Sequence, residues 1–264
     1  MTEISAALVK QLRDLTGAGM MDCKRALVET GGDLEQAQQL LREKGLAEAG
    51  KRAGKETTEG KVLARVDDGR GAMVAVACET EPVSNNDEFL TFAQRLLEVV
   101  DEEGPEAVPQ LEPERVELVG KLGENVVVRG AERYEAQNGE IVAAYVHPPA
   151  AKIGVLVRAK ASPELARMVA MQIAAARPVY VSREEVPEAE ITHERQIYEK
   201  LPDVASKPEQ VRPKIVEGML EKRFFAQNVL VDQDWIHDPS LKVGKALAEH
   251  DAEVRAFVLY NVGS

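Results

Sequence analysis

Residues 71–77 have the sequence Gly-Ala-Met-Val-Ala-Val-Ala, in which every side chain is small or apolar. A run that is apolar on both faces is typical of a strand buried on both faces. Further along, apolar residues recur at helical spacing from Phe89 to Val100. Residues 79–88 connect these elements with the sequence Glu-Thr-Glu-Pro-Val-Ser-Asn-Asn-Asp-Glu. The stretch therefore predicts a buried strand, a short polar loop and an amphipathic helix.

The loop at residues 80–84 has two interpretations. A loop held by a strand at one end and a helix at the other is rigid enough to serve in recognition. From the local sequence alone, an ordinary strand-to-helix connection is the favoured interpretation, because such connections are common. Pro82 favours an extended conformation at Glu81, so we expect Glu81 to point outward on a stiff support. Residues 85–87, which are Asn-Asn-Asp, offer an oxygen that caps the helix.

The sequence from Cys78 to Phe89 resembles a signature of the bacterial elongation factor Ts family, whose members promote guanine-nucleotide exchange on elongation factor Tu. The family pattern is Cys-Glu/Gln-Thr-Asp-Phe-Val-Ala, a polar pair and a helix led by an aromatic residue. This chain has Glu81 in place of Asp and Pro82 in place of the aromatic residue. In the family that aromatic residue is inserted into elongation factor Tu, and the partner's Mg²⁺ is dislodged. The resemblance implies an exchange segment made of Thr80, Glu81, Pro82 and Val83.

Composition narrows the classes of function. The chain has 264 residues and a net charge of -12, which disfavours nucleic acid as a direct partner because phosphates attract Lys and Arg. No apolar run approaches the roughly 20 residues of a membrane span, and no signal peptide is evident after Met1. We therefore expect a cytoplasmic protein. Cys23 and Cys78 lie far apart without metal-type spacing and are expected to be reduced thiols.

Residues 4–45 predict three short helices around a small core. Pairs of glycines, at 17 and 19 and at 31 and 32, separate the helices, and Gly45 is predicted to end the third. Residues 33–36, Asp-Leu-Glu-Gln, resemble a capping box that starts the third helix. One apolar face of the first helix is formed by Ile4, Leu8, Leu12 and Leu15.

Two runs in this region, residues 9–13 and 16–27, resemble the amino-terminal signature of the elongation factor Ts family. That resemblance implies a ubiquitin-associated-like bundle that docks on elongation factor Tu, with contacts from Lys10, Met20 and Met21. From the residues alone, Met20 and Met21 lie in a turn, and at least one is expected to be exposed because two adjacent residues cannot both face one core. The alternative is that both pack within the bundle.

The rest of the chain predicts an α+β body. Residues 50–58 are small, charged and aperiodic, which indicates a solvated linker and not a nucleic-acid patch. The order strand, strand, helix occurs at residues 60–100, where Asp68-Gly69 predicts a hairpin turn, and again at residues 141–176. A strand from Val126 is grouped with the later strands. The predicted domains are a three-helix bundle at 1–52 and two related subdomains with antiparallel sheets at 57–135 and 136–264.

Residues 147–157, His-Pro-Pro-Ala-Ala-Lys-Ile-Gly-Val-Leu-Val, resemble a second signature of the same family. In that pattern a His precedes a short loop and then Arg/Lys-Ile-Gly-Val-Leu-Val. The resemblance implies that His147 lies near the exchange segment and contacts elongation factor Tu, together with Lys152 and Gly154. Without the resemblance, a strand-end His satisfied by the backbone is the simpler interpretation.

Residues 187–226 predict a helical hairpin inserted in the second subdomain, with Ile197 and Val211 in its apolar seam. In the family such a hairpin serves partner or self contacts, which implies a surface for homodimerisation. Beyond it, Ser240 is expected to cap a helix that runs to His250. Val254 to Tyr260 is expected to be a final strand.

An enzyme is disfavoured, because the sequence has no Gly-rich nucleotide loop, no His-Glu-x-x-His and no Cys-x-x-Cys. We expect neither a cofactor nor a bound metal. A stand-alone adaptor built on the bundle would leave the α+β body unexplained. The resemblance therefore implies an exchange factor for elongation factor Tu. The alternative is a divergent member that binds elongation factor Tu as a chaperone or scaffold and exchanges nucleotide poorly.

Overall fold

The computed structural model describes residues 4–263. Its first three helices are α1 (Ala6–Thr16), α2 (Met20–Glu29) and α3 (Leu34–Arg52). The side chain of Asp33 caps α3 by accepting a hydrogen bond from Gln36 N at 2.9 Å, as the sequence predicts. Gly17 ends α1 in the left-handed conformation, with φ 67°. The core of this bundle consists of Val9, Leu12, Cys23, Ala26, Leu27 and Ala37.

Three predictions for the bundle are wrong. Helix α3 does not end at Gly45, because there it crosses the helix at residues 112–122 so closely that a Cβ on Gly120 would lie 2.8 Å from Gly45 Cα. The helix therefore continues through residues 50–52, where the sequence predicts a linker. Leu15 is 59% exposed and outside the core. Finally, Met20 and Met21 begin α2 rather than lie in a turn, and both are exposed.

The first sheet contains β1 (Glu59–Asp67), β2 (Arg70–Cys78) and β3 (Val126–Glu135), all antiparallel, with β2 in the centre. The two-residue turn at Asp68-Gly69 has positive φ at both positions, 44° and 75°, as the predicted hairpin requires. Strand β2 is buried from Gly71 to Cys78, which confirms the two-sided apolar pattern. Grouping the strand at Val126 with the later strands is wrong, because it pairs with β2.

Helices cover one face of this sheet. They are α4 (Glu81–Ser84), α5 (Asp87–Glu103), a 3-10 segment (Pro105–Leu111) and α6 (Glu112–Leu122). Asn86 caps α5 by accepting a hydrogen bond from Glu88 N at 2.8 Å. Alternate residues of β2 from Ala72 to Cys78 pack against the predicted apolar face of α5. That face consists of Phe89, Phe92, Ala93, Leu96, Leu97 and Val100, all buried.

A second unit repeats the order strand, strand, helix with β4 (Ile141–Val146), β5 (Ile153–Lys160) and α7 (Pro163–Ala176). The predicted helical hairpin follows as α8 (Glu188–Lys200), α9 (Pro202–Ala205), α10 (Arg212–Met219), a π-helical segment (Leu220–Phe225) and α11 (Ala226–Asn228). Ile197 and Val211 are 40% and 44% exposed and lie outside its seam. The seam consists of Val186, Tyr198, Val204, Val216, Leu220, Phe224, Phe225 and Val229.

The chain ends with β6 (Asp234–Trp235), β7 (Asp238–Lys242), α12 (Val243–Ala248) and β8 (Glu253–Asn261). The final strand pairs with β5 and completes a second antiparallel sheet of order β4-β5-β8. The predicted cap at Ser240 is wrong. Ser240 lies in β7, where its N and Oγ donate to Asp238 Oδ1 at 3.0 and 2.7 Å. No helix within residues 4–263 is long and apolar enough to cross a membrane.

The two sheets pack face to face between the helices, so the body has four layers and the predicted α+β class is confirmed. Their contact is reciprocal. A Cβ on Gly71 of β2 would lie 2.5 Å from Val142 of β4, and one on Gly154 of β5 would lie 2.4 Å from Val62 of β1. In each unit, a glycine of the central strand thus receives a valine from the first strand of the other unit.

Candidate functional site

The segment between β2 and α5 is a helical turn and not a loop. Pro82 occupies one of the first two positions of α4, where its missing N–H costs no intrahelical hydrogen bond. Ser84 Oγ and Asn85 Nδ2 both donate to the carbonyl of Glu81, at 2.8 and 3.0 Å. The expected extended conformation of Glu81 is therefore wrong. Thr80, with φ -129° and ψ 153°, carries it instead.

The first residues of the turn are exposed to solvent, and its last residues pack against the protein. Thr80, Glu81 and Pro82 are exposed, while Val83 is half-buried against the core between β2 and α5. Ser84 is buried, and its amide donates to the carbonyl of Thr80 at 3.2 Å. The predicted outward direction of Glu81 thus agrees with the structure, although the backbone that supports it is helical.

Two glutamates tie this turn to the start of β3. The last register pair between β2 and β3 joins Cys78 to Val126. Beyond it, Glu79 Oε1 accepts from Asn125 N at 2.6 Å, and Glu124 accepts from Thr80 through N at 3.0 Å and Oγ1 at 2.6 Å. We call Glu79 and Glu124 the carboxylate pair. Each side-chain carboxylate accepts a hydrogen bond from a backbone amide of the opposite chain segment, so side chains continue the pairing where the backbone ladder stops.

The pKa values of Glu79 and its neighbour Cys78 are shifted in opposite directions. The hydrogen bond from Asn125 N, with a further contribution from Arg52, lowers the pKa of Glu79. Arg52 Nη1 lies 3.1 Å from Glu79 Oε1 and links the end of α3 to the turn. Burial raises the pKa of the Cys78 thiol to about 12, and that thiol donates to the carbonyl of Thr80 at 3.3 Å. Cys78 is therefore a packed, protonated thiol and not a nucleophile.

The loop at residues 147–152 is fastened to β1. Val62 N donates to the carbonyl of Ala151 at 2.7 Å, and Lys152 Nζ lies 2.5 Å from Glu59 Oε2. Glu59 pairs in register with Cys78, the last residue of β2. Since neighbouring strands are about 4.8 Å apart, the loop and the segment 80–83 lie at the same end of the first sheet. The structure thus brings together two stretches that are more than sixty residues apart in sequence.

The predicted residues of this loop have different environments. His147 is exposed, and its Nδ1 lies 2.8 Å from Tyr145 Oη, so its ring is oriented by a side chain and not by the backbone. Lys152 is half-buried by its ion pair with Glu59. Gly154 is buried between the sheets, where only glycine fits against Val62. Its role in this chain is to let the sheets approach, and it offers little surface to a partner.

The bundle carries the remaining predicted residues. Lys10 is exposed, and Met20 and Met21 are 56% and 64% exposed. Two further apolar side chains, Leu15 and Val28, are exposed and were missed by sequence reasoning. Helical spacing alone predicts that Leu15 lies in the core. Met20 and Met21, adjacent in sequence, thus give the start of α2 an exposed apolar pair.

The bundle also lies close to the segment 80–83. A Cβ on Gly17 would lie 3.2 Å from Lys121 Cε of α6 and 3.4 Å from Glu88 Oε1 at the start of α5. Helix α5 begins only a few residues after the segment, so the turn between α1 and α2 adjoins that end of the body.

Sequence reasoning also missed the carboxylate pair. The signal was the Glu-Asn sequence at residues 124–125 directly after the glycine that ends α6, but its partner depends on the pairing of β2 with β3, which is not a local property. Elsewhere, within residues 4–263, no group of three or more His, Cys, Asp and Glu side chains is arranged to hold a metal ion.

Comparisons with known proteins cover the whole chain. The family model described as elongation factor TS matches residues 79–264, so the match starts one residue before segment 80–83. The chain is 42% identical to elongation factor Ts of Haemophilus ducreyi over 267 residues, covering 100% of this chain and 92% of the relative. It is 42% identical to that of Thioalkalivibrio sulfidiphilus, covering 98% and 92%. For elongation factor Ts of Escherichia coli O139:H28 the identity is 39%, covering 100% and 93%.

Proposed function

The chain belongs to the elongation factor Ts family, and we propose on that basis that it promotes the release of GDP from elongation factor Tu, allowing GTP to bind during translation elongation. The observation that carries the proposal is the identity of about 40% along the full chain, which includes the exposed segment 80–83. The protein would perform no covalent chemistry, and its action would consist of binding alone.

The thermodynamics of such an exchange factor are those of linked binding. The factor must bind the nucleotide-free partner more tightly than the GDP-bound partner. By reciprocity, it then lowers the partner's affinity for GDP by the same ratio. Only contacts that form better with the nucleotide-free partner contribute to this ratio. A rigid, exposed segment suits that role, because it keeps its shape while the partner must rearrange.

The structure supports a division of roles among the candidate residues. Segment 80–83 and the loop at 147–152 lie at one end of the first sheet, where they would displace the partner's Mg²⁺ and loosen its phosphate contacts. His147, oriented by Tyr145, would reach the same region of the partner. The bundle would dock on a separate surface of the partner. Its contacts would come from Lys10, Met20 and Met21.

The proposal includes the setting in which the protein acts. Its partner would be a protein and not tRNA, because a net charge of -12 repels phosphates. It would work in the cytoplasm with the translation machinery. The predicted domains at 1–52, 57–135 and 136–264 remain part of the proposal, and so does homodimerisation through the helical hairpin.

Stopped-flow release of fluorescent GDP from the cognate elongation factor Tu tests the exchange role. We expect release to accelerate with the concentration of this protein and to saturate. The control is Glu114→Gln, which removes a charge from an exposed glutamate in the first turn of α6, ten residues before Glu124, and should leave the rate unchanged. Release at the same rate with and without the protein would refute the proposed function.

A second function has support from one observation. Pro82 is exposed and lacks the aromatic area of the family pattern, whose burial in a partner would contribute roughly 1.5–3 kcal/mol. A protein without that contact would bind elongation factor Tu as a chaperone or scaffold and exchange nucleotide slowly. Pro82→Phe should then accelerate GDP release several-fold if the partner has an apolar pocket there, whereas Glu81→Ala should slow it. Unchanged release with both variants would show that segment 80–83 does not act in exchange.

A further inference from the structure

The first residue of segment 80–83 is hydrogen-bonded to a side chain outside the segment. Thr80 is the N-cap residue of α4, yet its own side chain makes no capping hydrogen bond to that turn. Its amide and hydroxyl both donate to the carboxylate of Glu124 instead, at 3.0 and 2.6 Å. Hydrogen bonds to an ionised acceptor are stronger than neutral ones. Glu124 therefore fixes the first residue of the segment in two directions at once.

The local sequence places Glu124 for this task. Helix α6 ends at Gly123, which takes the left-handed conformation with φ 66°, and β3 begins three residues later at Val126. Glu124 lies in this tight turn, directly before Asn125, which is buried and donates to Glu79. Both members of the carboxylate pair are thus held by regular elements on each side. In contrast, Glu81 and Pro82 are exposed and contribute no buried side chain that would anchor the start of the turn.

We propose that Glu124 is a positioning residue of the exchange segment, and that it acts by holding Thr80 and hence the orientation of Glu81 and Pro82. This inference rests on the proposed function. Glu124 contributes no apolar side chain to the core beneath the segment, so its loss should free the turn without removing the packing of Val83. A small displacement of a group that acts in catalysis has large kinetic consequences.

The experiment compares Glu124→Ala and Glu124→Gln with wild type in the full-length chain, with Glu114→Gln as the matched control. One readout is the NMR resonance of the Thr80 amide in the free protein. The other is the maximal rate of GDP release and the concentration that gives half of it. Glu124→Gln retains one oxygen acceptor of the same length, so it should behave between wild type and Glu124→Ala.

We expect Glu124→Ala to move the Thr80 amide resonance upfield and to lower the maximal rate of release about tenfold. The half-saturating concentration should change less than threefold, because the bundle and the loop at 147–152 still bind. A merely structural role would weaken binding and rate together and would not be rescued by Gln. A maximal rate within twofold of an active wild type would overturn the inference.

An inactive wild type and a variant that does not fold call for separate readouts. If wild type itself does not accelerate release, the proposed function fails, and an unchanged Thr80 amide resonance in Glu124→Ala would overturn the contact as well. If Glu124→Ala does not fold, the pair Glu124→Gln and Thr80→Val replaces it. Residues that act through one contact have non-additive effects, so a double variant no slower than the slower single variant supports the inference. Additive slowing overturns it.

Discussion

The two strand–strand–helix units of the body share a plan and differ in one connection. Between β2 and α5 there are eight residues, 79–86, whereas between β5 and α7 there are two, Ala161 and Ser162. Both helices start with a side-chain cap, from Asn86 and from Ser162. Segment 80–83 of the candidate site lies in the longer connection. The fold is therefore repeated, and the first unit acquires its proposed role from residues that the repeat does not need.

Details of pairing support the equivalence of the units. The third strand of each sheet carries one bulge opposite the central strand, and the extra residue is Arg129 in β3 and Arg255 in β8. Arg129 donates to Thr57 Oγ1 at 2.8 Å, and Arg255 Nε lies 3.2 Å from Glu140 Oε1. The same irregularity with the same residue type at the same place, together with the reciprocal glycine–valine contacts, indicates two related units.

Replacing the long connection with the short one should have the largest effect. A variant in which residues 79–86 are exchanged for Ala-Ser should release GDP from elongation factor Tu no faster than the partner alone, because it lacks the whole exposed turn. The matched control inserts Gly-Ser between Ala161 and Ser162, which should leave the rate within twofold of wild type. Substantial exchange by the shortened variant, measured by stopped flow after circular dichroism confirms folding, would show that the longer connection is not needed for exchange.

The reciprocal glycines should be the next most sensitive positions. Gly71→Val and Gly154→Val each insert a side chain where a Cβ already lies 2.5 or 2.4 Å from a valine, and overpacking of this kind costs about 1–3 kcal/mol. Urea unfolding should show similar losses for both. Gly218→Ala is the control, since a Cβ there meets no atom within 4 Å and alanine favours the helix. A large loss for only one of the two glycines would show that the units are not packed equivalently.

The first connection contains the carboxylate of Glu79, whereas the second, Ala161 and Ser162, contains none. The contribution of Glu79 to the free energy of unfolding should therefore depend on pH. Its pKa is lowered in the folded state, so its contribution to stability is present above the unfolded value near 4.3 and is lost as pH falls through the folded value. Glu79→Gln should cost about 1 kcal/mol at pH 7, because a charge-assisted hydrogen bond and the ion pair with Arg52 are weakened.

That difference in unfolding free energy should remain constant above about pH 5, begin to shrink as the pH falls below the unfolded value near 4.3, and vanish once the pH has passed the lowered pKa of the folded state. Unfolding of both proteins by urea across this range measures it. Glu114→Gln serves as the reference for removal of an exposed charge. A difference that does not shrink at all as the pH falls below about 4.3 would contradict the role of ionised Glu79.

The bulge arginines should show the smallest effects. Arg129→Ala and Arg255→Ala each remove one partly exposed hydrogen-bonded or paired side chain, which typically contributes less than about 1 kcal/mol. Equal losses in the free energy of unfolding, measured with urea, would support the structural equivalence of the two units. A loss above about 2 kcal/mol for one alone would show that its bulge has a separate role.

Local patterns predicted the elements that depend on local physics. Two-sided apolarity identified β2, helical spacing identified the buried face of α5, and Asp68-Gly69 identified the hairpin turn. The pairing of β3 with β2 was missed, because register is set by contacts between distant residues. The carboxylate pair was missed for the same reason, because Glu124 reaches Thr80 only when β3 lies beside β2.

Other misses arose where tertiary contacts overrule a local rule. Gly45 lies within α3 because its missing side chain admits Gly120, and Pro82 lies within a helical turn because its missing N–H is not needed there. The candidate residues found by resemblance fall on exposed positions, apart from half-buried Val83 and Lys152 and buried Gly154. Burial of this kind could not be seen from the motif, which records a residue and not its neighbours.

Helix α3 determines how the bundle is rotated relative to the body. It has 19 residues and is about 28 Å long at 1.5 Å per residue. One end belongs to the bundle, while the other crosses Gly120 and reaches Glu79 through Arg52. Because each residue of a helix turns the chain by about 100°, inserting one residue before Gly45 would swing the face that carries Met20 and Met21 by more than a quarter turn. The length of α3 therefore sets, in steps of one residue, how the exposed face of the bundle is oriented relative to segment 80–83.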